Sequence, residues 1–239
     1  MQKLLSAHQP VYLPWLGFFD KIEVSDLFVI FDDVPYSKKM WYNRNFINGI
    51  NNKILLSVPV RFKTSDQTKH KDVIIDNSTQ WQKKHWKSIC VSYSNYPYFQ
   101  EYAEKLEKIY NTKWEKLIDL NLELIFLFLK FLKIKTKIVR ASSYLFKGSK
   151  SDLIVDMCKS LKFDHYLFGE LGKNYCDYSL FEKNNIKPKF QEYVHPEYQV
   201  LNKKNFFKNM SILDLLFYYG EKSKLMIRKN NLTKNEYFE

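Results

Sequence analysis

Cysteine is scarce in this 239-residue sequence: Cys90, Cys158 and Cys176 are odd in number and widely spaced, with neither a CxxC pair nor a Cys/His grid around them. That pattern speaks against a disulfide framework and against a structural zinc site. Long hydrophobic runs are also missing. The longest, residues 122–132, is interrupted by Glu123 and Lys130 and falls far short of the roughly 20 apolar residues of a membrane span. The opening MQKLLSAHQP has two leucines where a secretory segment needs a longer apolar run, so it reads as a first buried strand, and the protein is expected in the cytoplasm. There is no internal repeat and no low-complexity linker. No G-x-S-x-G surrounds Ser142 and Ser143, which argues against a serine hydrolase.

What is present in excess is positive charge, a formal +12. An anionic partner is one reading of it. However, lysine greatly outnumbers arginine, asparagine and isoleucine are also heavily used, and the lysines are scattered. This composition fits an AT-biased genome better than a nucleic-acid surface, although the same field eases the approach of any phosphate.

The chain is long enough to bury a sizeable core as one domain. Residues 3–7 read as a short apolar strand, 8–14 as a loop held extended by two prolines, 15–24 as a helix, and 27–31 as a second strand closed by Asp32 and Asp33. This strand-loop-helix-strand order opens a parallel α/β sheet. Residues 45–47 and 53–60 flank an Asn-Gly-rich turn and suggest a hairpin, with 73–75 as a further strand. Helical patterns follow at 79–92, 98–110 and 114–132. Strand-like segments return at 137–141, 165–168 and 189–193, with helices at 150–161 and 178–184 between them. A last helix spans 211–219, capped by Ser211 and stopped by Gly220, and the final dozen residues read as a frayed polar tail. The expected fold is Rossmann-like α/β, a mostly parallel sheet with a β-hairpin excursion and a central helical segment. It forms a single domain over 1–239, with 79–132 as a helical insertion or subdomain.

Four segments carry chemistry. In open α/β sheets ligands bind at the carboxyl ends of strands, where HQPVYLPWLGFFDKI (8–22) lies. His8 is the first residue after the first strand, suited to acid-base work near neutrality, and it is followed by Gln9. Tyr12 and Trp15 are candidates for stacking on a base or sugar ring, against the alternative that they are core. The second segment, FDDVPYSKKMWYNRN (31–45), brings Asp32, Asp33, Lys38, Trp41, Asn43 and Arg44 to the next strand end. Its carboxylates can bind a metal, accept a substrate amine or orient His8, and Arg44 with Lys38 can grip a phosphate. A turn or helix cap is the plainer reading of the Asp pair. The third, YLFGELGKNY (166–175), offers Gly169 for close approach of a ligand, Lys173 for a phosphate and Tyr175 for a sugar hydroxyl. The fourth, HPEYQ (195–199), gives His195 as a second polar wall. His85 shares a helix face with Trp81 and reads as core; His70 and His165 read as structural or solvent-facing.

The motifs HQP.YLPWLGFFDKI, FDDV..SKK.W.NRN, YLFGELGKNY, HPEY and SILDLLFYYG, in this order and spacing, resemble the WbqC family over nearly the whole chain. The resemblance implies an enzyme of O-antigen or capsule biosynthesis that attaches an acyl or aminoacyl group to a sugar amine. The opening motif is also similar to the strand-loop-helix of nucleotidyltransferase-like enzymes such as pantothenate synthetase, and FGELGKNY to their FGEKD stretch. Tyr12 and Trp15 stand where those enzymes carry the two phosphate-binding histidines of HxGH, so use of ATP stays open. The expected ligand is a nucleotide-linked amino sugar. His8 is the expected base, Asp33 orients it or holds the amine, Arg44 and Lys38 hold the diphosphate, and Tyr12 and Trp15 hold the base or sugar. The donor is open among acyl-CoA, folate, aminoacyl-tRNA and ATP plus an amino acid, and no cofactor can be named. The rival readings are an ATP-dependent ligase or nucleotidyltransferase and a non-catalytic sugar-nucleotide-binding protein.

Overall fold

A computed structural model describes residues 2–38, 40–61, 67–201 and 206–239; Lys39 of the SKK motif lies outside them. In chain order the elements are β1 (Leu4–His8), α1 (Leu16–Val24), β2 (Leu27–Ile30), β3 (Arg44–Asn48), β4 (Lys53–Ser57), β5 (Val60–Arg61) and β6 (Ile74–Ile75). Then come α2 (Trp81–Tyr93), α3 (Phe99–Asn111), α4 (Leu117–Phe131), β7 (Lys137–Arg140), α5 (Lys150–Leu161), β8 (His165–Phe168), α6 (Tyr178–Lys183), β9 (Lys187–Phe190), α7 (Leu213–Tyr219) and α8 (Ser223–Arg228).

Five of the strands form one parallel sheet in the order β7-β2-β1-β8-β9. The chain fills it outward from β1, first toward β2 and β7, then toward β8 and β9. The direction of winding therefore reverses between β1 and β8, which places the open crevice of such a sheet at the carboxyl ends of those two strands. The expected hairpin is present as β3 and β4, antiparallel from Arg44↔Ser57 to Asn48↔Lys53 and separate from the main sheet. A second small antiparallel pair joins β5 to β6.

Both faces of the sheet are covered, which is why β2 is an unbroken apolar run and β1 is buried along its length up to His8, with its one hydroxyl, Ser6, bonded to Ser25 Oγ. Leu5, Ala7 and Val29 face a cluster with Met157 and Cys158 of α5 and Phe181 of α6. On the other face Phe28 and Ile30 meet Phe18, Phe19 and Ile22 of α1 and Phe128 of α4. The helices α2, α3 and α4 share that second cluster. Among the described residues, no helix is long and apolar enough to cross a membrane.

Three sequence expectations are corrected. β9 spans Lys187–Phe190 rather than 189–193. Pro188 reads as a strand breaker, but β9 is an edge strand, where a missing N–H costs no ladder bond on the open side. α7 begins at Leu213, two residues after Ser211, because Ser211 N–H donates to the Phe46 carbonyl (2.9 Å) and Ile212 N–H to the Pro14 carbonyl (2.9 Å) before the helix starts. Gly220 ends it at φ +54°, a region that disfavours a Cβ. The tail is not frayed. Tyr237 is buried against Leu4, Val24 and Leu167, Lys234 pairs with Asp26, and Arg228 pairs with the buried Asp20. Tyr237→Ala should therefore lower unfolding free energy by about 2–4 kcal/mol, read from urea midpoints. A frayed tail would show no change.

Candidate active site

The site is assembled by backbone bonds that run sideways from the end of β1. His8 pairs in register with Ile30, and Phe31 N–H donates to the His8 carbonyl at 2.9 Å, which sets the exit of β2 beside it. The next six residues do not stay alone. Tyr36 N–H donates to the Thr68 carbonyl, His70 N–H to that of Val34 and Lys71 N–H to that of Asp32, at 2.8, 3.1 and 2.9 Å. This strip carries His70 inward. Its imidazole is 2% exposed and sits edge-on between Tyr36 and Tyr42, with ring centroids at 5.3 and 4.4 Å.

Asp32 is completely buried and saturated. Its carboxylate accepts from Arg140 Nε (2.7 Å), Ser142 N–H (2.8 Å) and Ser142 Oγ (2.6 Å), tying the end of β2 to the end of β7. A buried carboxylate is tolerated when its acceptor capacity is met in this way. Asp32 is thus not free to bind a substrate amine. It is a positioning residue.

His8 is partly open to solvent, and its ring packs edge-on against Phe18 at 5.4 Å. Its Nδ1 lies 2.8 Å from the Gln9 carbonyl. A carbonyl can only accept, so Nδ1 carries the proton and Nε2 keeps its lone pair. Burial, then the Lys21 ammonium, lower His8 to about 4 against the opposing pull of the Gln9 carbonyl. His70 is lowered to about 4 by burial and by His8, with Asp32 opposing. Both rings are neutral at physiological pH. Lys21 is almost completely buried on the sheet-facing side of α1. It donates to the Ala7 carbonyl at 3.0 Å, and burial lowers it to about 7.

The opposite wall comes from the second and third motifs. Burial pushes Tyr36 up to about 12 despite the Arg44 guanidinium beside it, with Tyr42 adding to the rise. Tyr42 is raised by burial and then by Tyr175. Arg44 also lies over the Trp41 ring, 5.3 Å from its centroid. A Cβ placed on Gly169, directly after β8, would meet nothing within 4 Å, so that position faces open space.

Of the residues singled out from sequence, His8, Gln9 and Asp32 stand together at the strand ends, Arg44 and Tyr175 are joined to them through Tyr36, Tyr42 and His70, Trp41 only through Arg44, and Gly169 lies at the neighbouring strand end. Others lie elsewhere. Asp33 does not orient His8: it pairs with Lys69 and Lys71, at 2.9 and 2.5 Å, and the Lys71 hydrogen bond, ahead of Lys69, holds its carboxyl below the usual carboxylate value. Lys173 is paired with Glu192, and Lys38 is exposed on the loop. Asn43 is a buried loop anchor whose amide donates to the Val58 carbonyl at 2.7 Å. Tyr12 is fully buried, with its hydroxyl bonded to His85 Nδ1 (2.8 Å) and Tyr110 (2.7 Å). Trp15 stands edge-on to Tyr193 at 5.5 Å, and His195 belongs to the same aromatic group through Tyr193 and Tyr198.

His70, Lys21 and Tyr42 were missed. Lys21 had a legible signal: it lies on the face shared by Phe18, Ile22 and Ser25 at helical spacing, where a lysine is a buried charge. His70 had none, because only the strip pairing carries it inward.

The WbqC-like protein family profile matches residues 9–225. The chain belongs to that family. It is 31% identical over 220 residues to the uncharacterized protein Rv1507c of Mycobacterium tuberculosis, covering 91% of this chain and 94% of that one. No solved structure matches it significantly.

The lowered imidazoles of His8 and His70, together with those of His85 and His195, which burial also lowers, make stability pH-dependent. Their folded-state values lie below the ordinary 6.5, so the unfolded chain takes up protons more readily. Their contribution is complete above about pH 6.5 and is lost as pH falls toward 4. The urea midpoint should decline through that window. His70→Phe, which removes one of the groups, should flatten the decline.

Proposed function

We propose that this chain is an N-acyl or N-aminoacyl transferase acting on the amine of a nucleotide-linked amino sugar in surface-polysaccharide biosynthesis, working in the cytoplasm on a Rossmann-like, nucleotidyltransferase-like sheet. The observation that carries the reading is His8: a neutral imidazole with its Nε2 lone pair available, at the point where the sheet's winding reverses. The family membership supports it.

In the proposed reaction the sugar amine attacks the acyl carbonyl. The amide C–N bond forms, the bond from the acyl carbon to its carrier breaks, and the proton shed by nitrogen passes to His8 Nε2 while the carrier leaves with the electron pair. A base that is neutral at working pH can accept that proton without first losing one. Arg44 supplies a planar fork suited to a phosphate, and Tyr36, Tyr42 and Tyr175 supply hydroxyls for the sugar. A bound phosphate beside His8 would raise its pKa toward the neutral range.

Two measurements test this. With a panel of nucleotide-diphosphate amino sugars, Arg44→Ala should weaken binding by about 1.5–3 kcal/mol, the worth of a charge-assisted hydrogen bond; equal affinity in calorimetry would remove Arg44 from the site. His8→Ala should cut turnover by about 100- to 10,000-fold while leaving melting temperature and sugar-nucleotide affinity near wild type. If the variant melts several degrees lower yet keeps most of its activity, His8 is structural and the mechanism fails. Turnover by no member of the panel, with binding intact, would favour the non-catalytic reading.

A further inference from the structure

The open edge of the sheet carries a feature that the proposed reaction does not use. β7 is the edge strand, and between it and α4 lies a hollow of about 360 Å³ walled by Leu122, Phe126, Ile138 and Tyr144, with Arg140 at one end. A second hollow of about 290 Å³ shares Phe126 and Ile138 with the first and ends at Lys130 and Lys135. Together they form one groove along the strand, apolar in the middle and cationic at both ends. No carboxylate is among the residues that line either hollow. Lys135 and Arg140 are five residues apart, so at most roughly 18 Å of extended chain separates them.

The apolar wall is left open to solvent. Phe126 is 49% exposed and Tyr144, stacked on Phe146, 37%, and both line the same hollow rather than standing singly on a polar surface. Arg140 is held differently from an ordinary surface arginine. Its Nε donates to the fully buried Asp32 at 2.7 Å, and that carboxylate is itself pinned by Ser142. The guanidinium plane is therefore fixed, and among the described residues its two terminal nitrogens have no protein partner. A guanidinium held through Nε in a side chain that is 39% exposed has its Nη groups left to receive the oxygens of an anion.

We infer that this groove binds a linear amphiphile: an apolar chain laid over Phe126 and Ile138, ending in a carboxylate or phosphate monoester held by Arg140. The groove uses no group of the proposed reaction, although its Arg140 is held by Asp32 at the same end of the sheet as His8. Apolar burial supplies the affinity along the chain, and the guanidinium fork fixes its direction.

Calorimetry with octyl phosphate, octanoate, octanol and inorganic phosphate, below any micelle-forming concentration, tests each part. Octyl phosphate or octanoate should bind about 10- to 100-fold more tightly than octanol, the worth of a charge-assisted pair, and more tightly than inorganic phosphate. Which of the two binds better identifies the head group. Arg140→Lys keeps a charge for Asp32 but loses the fork, and should weaken the anionic amphiphile by about tenfold. Phe126→Asp, at a half-exposed position that tolerates polarity, should abolish binding. Equal binding of octanol and octyl phosphate would remove Arg140 as the head site, and equal binding of inorganic and octyl phosphate would remove the groove. Unchanged affinity in Phe126→Asp would overturn the proposal even if Arg140→Lys failed to fold.

Discussion

Asp32 holds the carboxyl end of the sheet together through both its side chain and its main chain. The carboxylate, wholly withdrawn from water, accepts three hydrogen bonds from Arg140 and Ser142 and so locks the end of β7 against the end of β2. The carbonyl of the same residue accepts from Lys71 N–H and fixes the strip that carries His70. One residue earlier, Phe31 N–H is bonded to the His8 carbonyl. Removing one partner of a buried charge leaves the other uncompensated, so Asp32, Arg140 and Ser142 stand or fall as a unit. The positions of His8 and His70 and the direction of the Arg140 guanidinium depend on that unit.

The electrostatics follow from this arrangement. Asp32 is spent on internal donors and Asp33 on Lys69 and Lys71, so neither carboxylate serves the crevice. Two imidazoles there are kept neutral chiefly by burial, His8 also by the Lys21 ammonium, and Lys21 donates to the Ala7 main-chain carbonyl.

The aromatic residues that open the chain serve a different purpose. Tyr12 bonds to His85 and Tyr110 across the interface between the first loop and the central helices, and the Asn45 amide donates to the Leu13 carbonyl to hold the same loop from the hairpin side. These contacts hold the chain after His8 to the central helices and to the hairpin. The motif HQPVYLPW thus combines one chemical group with its scaffold.

By itself the sequence determined the elements and their class. A short apolar segment marked β1 and a continuous apolar run marked β2, and helical spacing located α1 through α6 to within a few residues. The adjacency of the strand ends at His8 and Asp32 followed from the strand-loop-helix-strand order. Tertiary structure decided which polar side chains meet. Asp32 and Asp33 are neighbours of identical type, yet one is buried in a staple and the other pairs with surface lysines, a difference set by β7, more than a hundred residues away. His70 lies in a stretch with no periodicity and becomes part of the cluster only by pairing with residues 32–36. Pairing over such distances leaves no local trace, because periodicity and propensity report on neighbours in the chain, whereas a site is defined by neighbours in space.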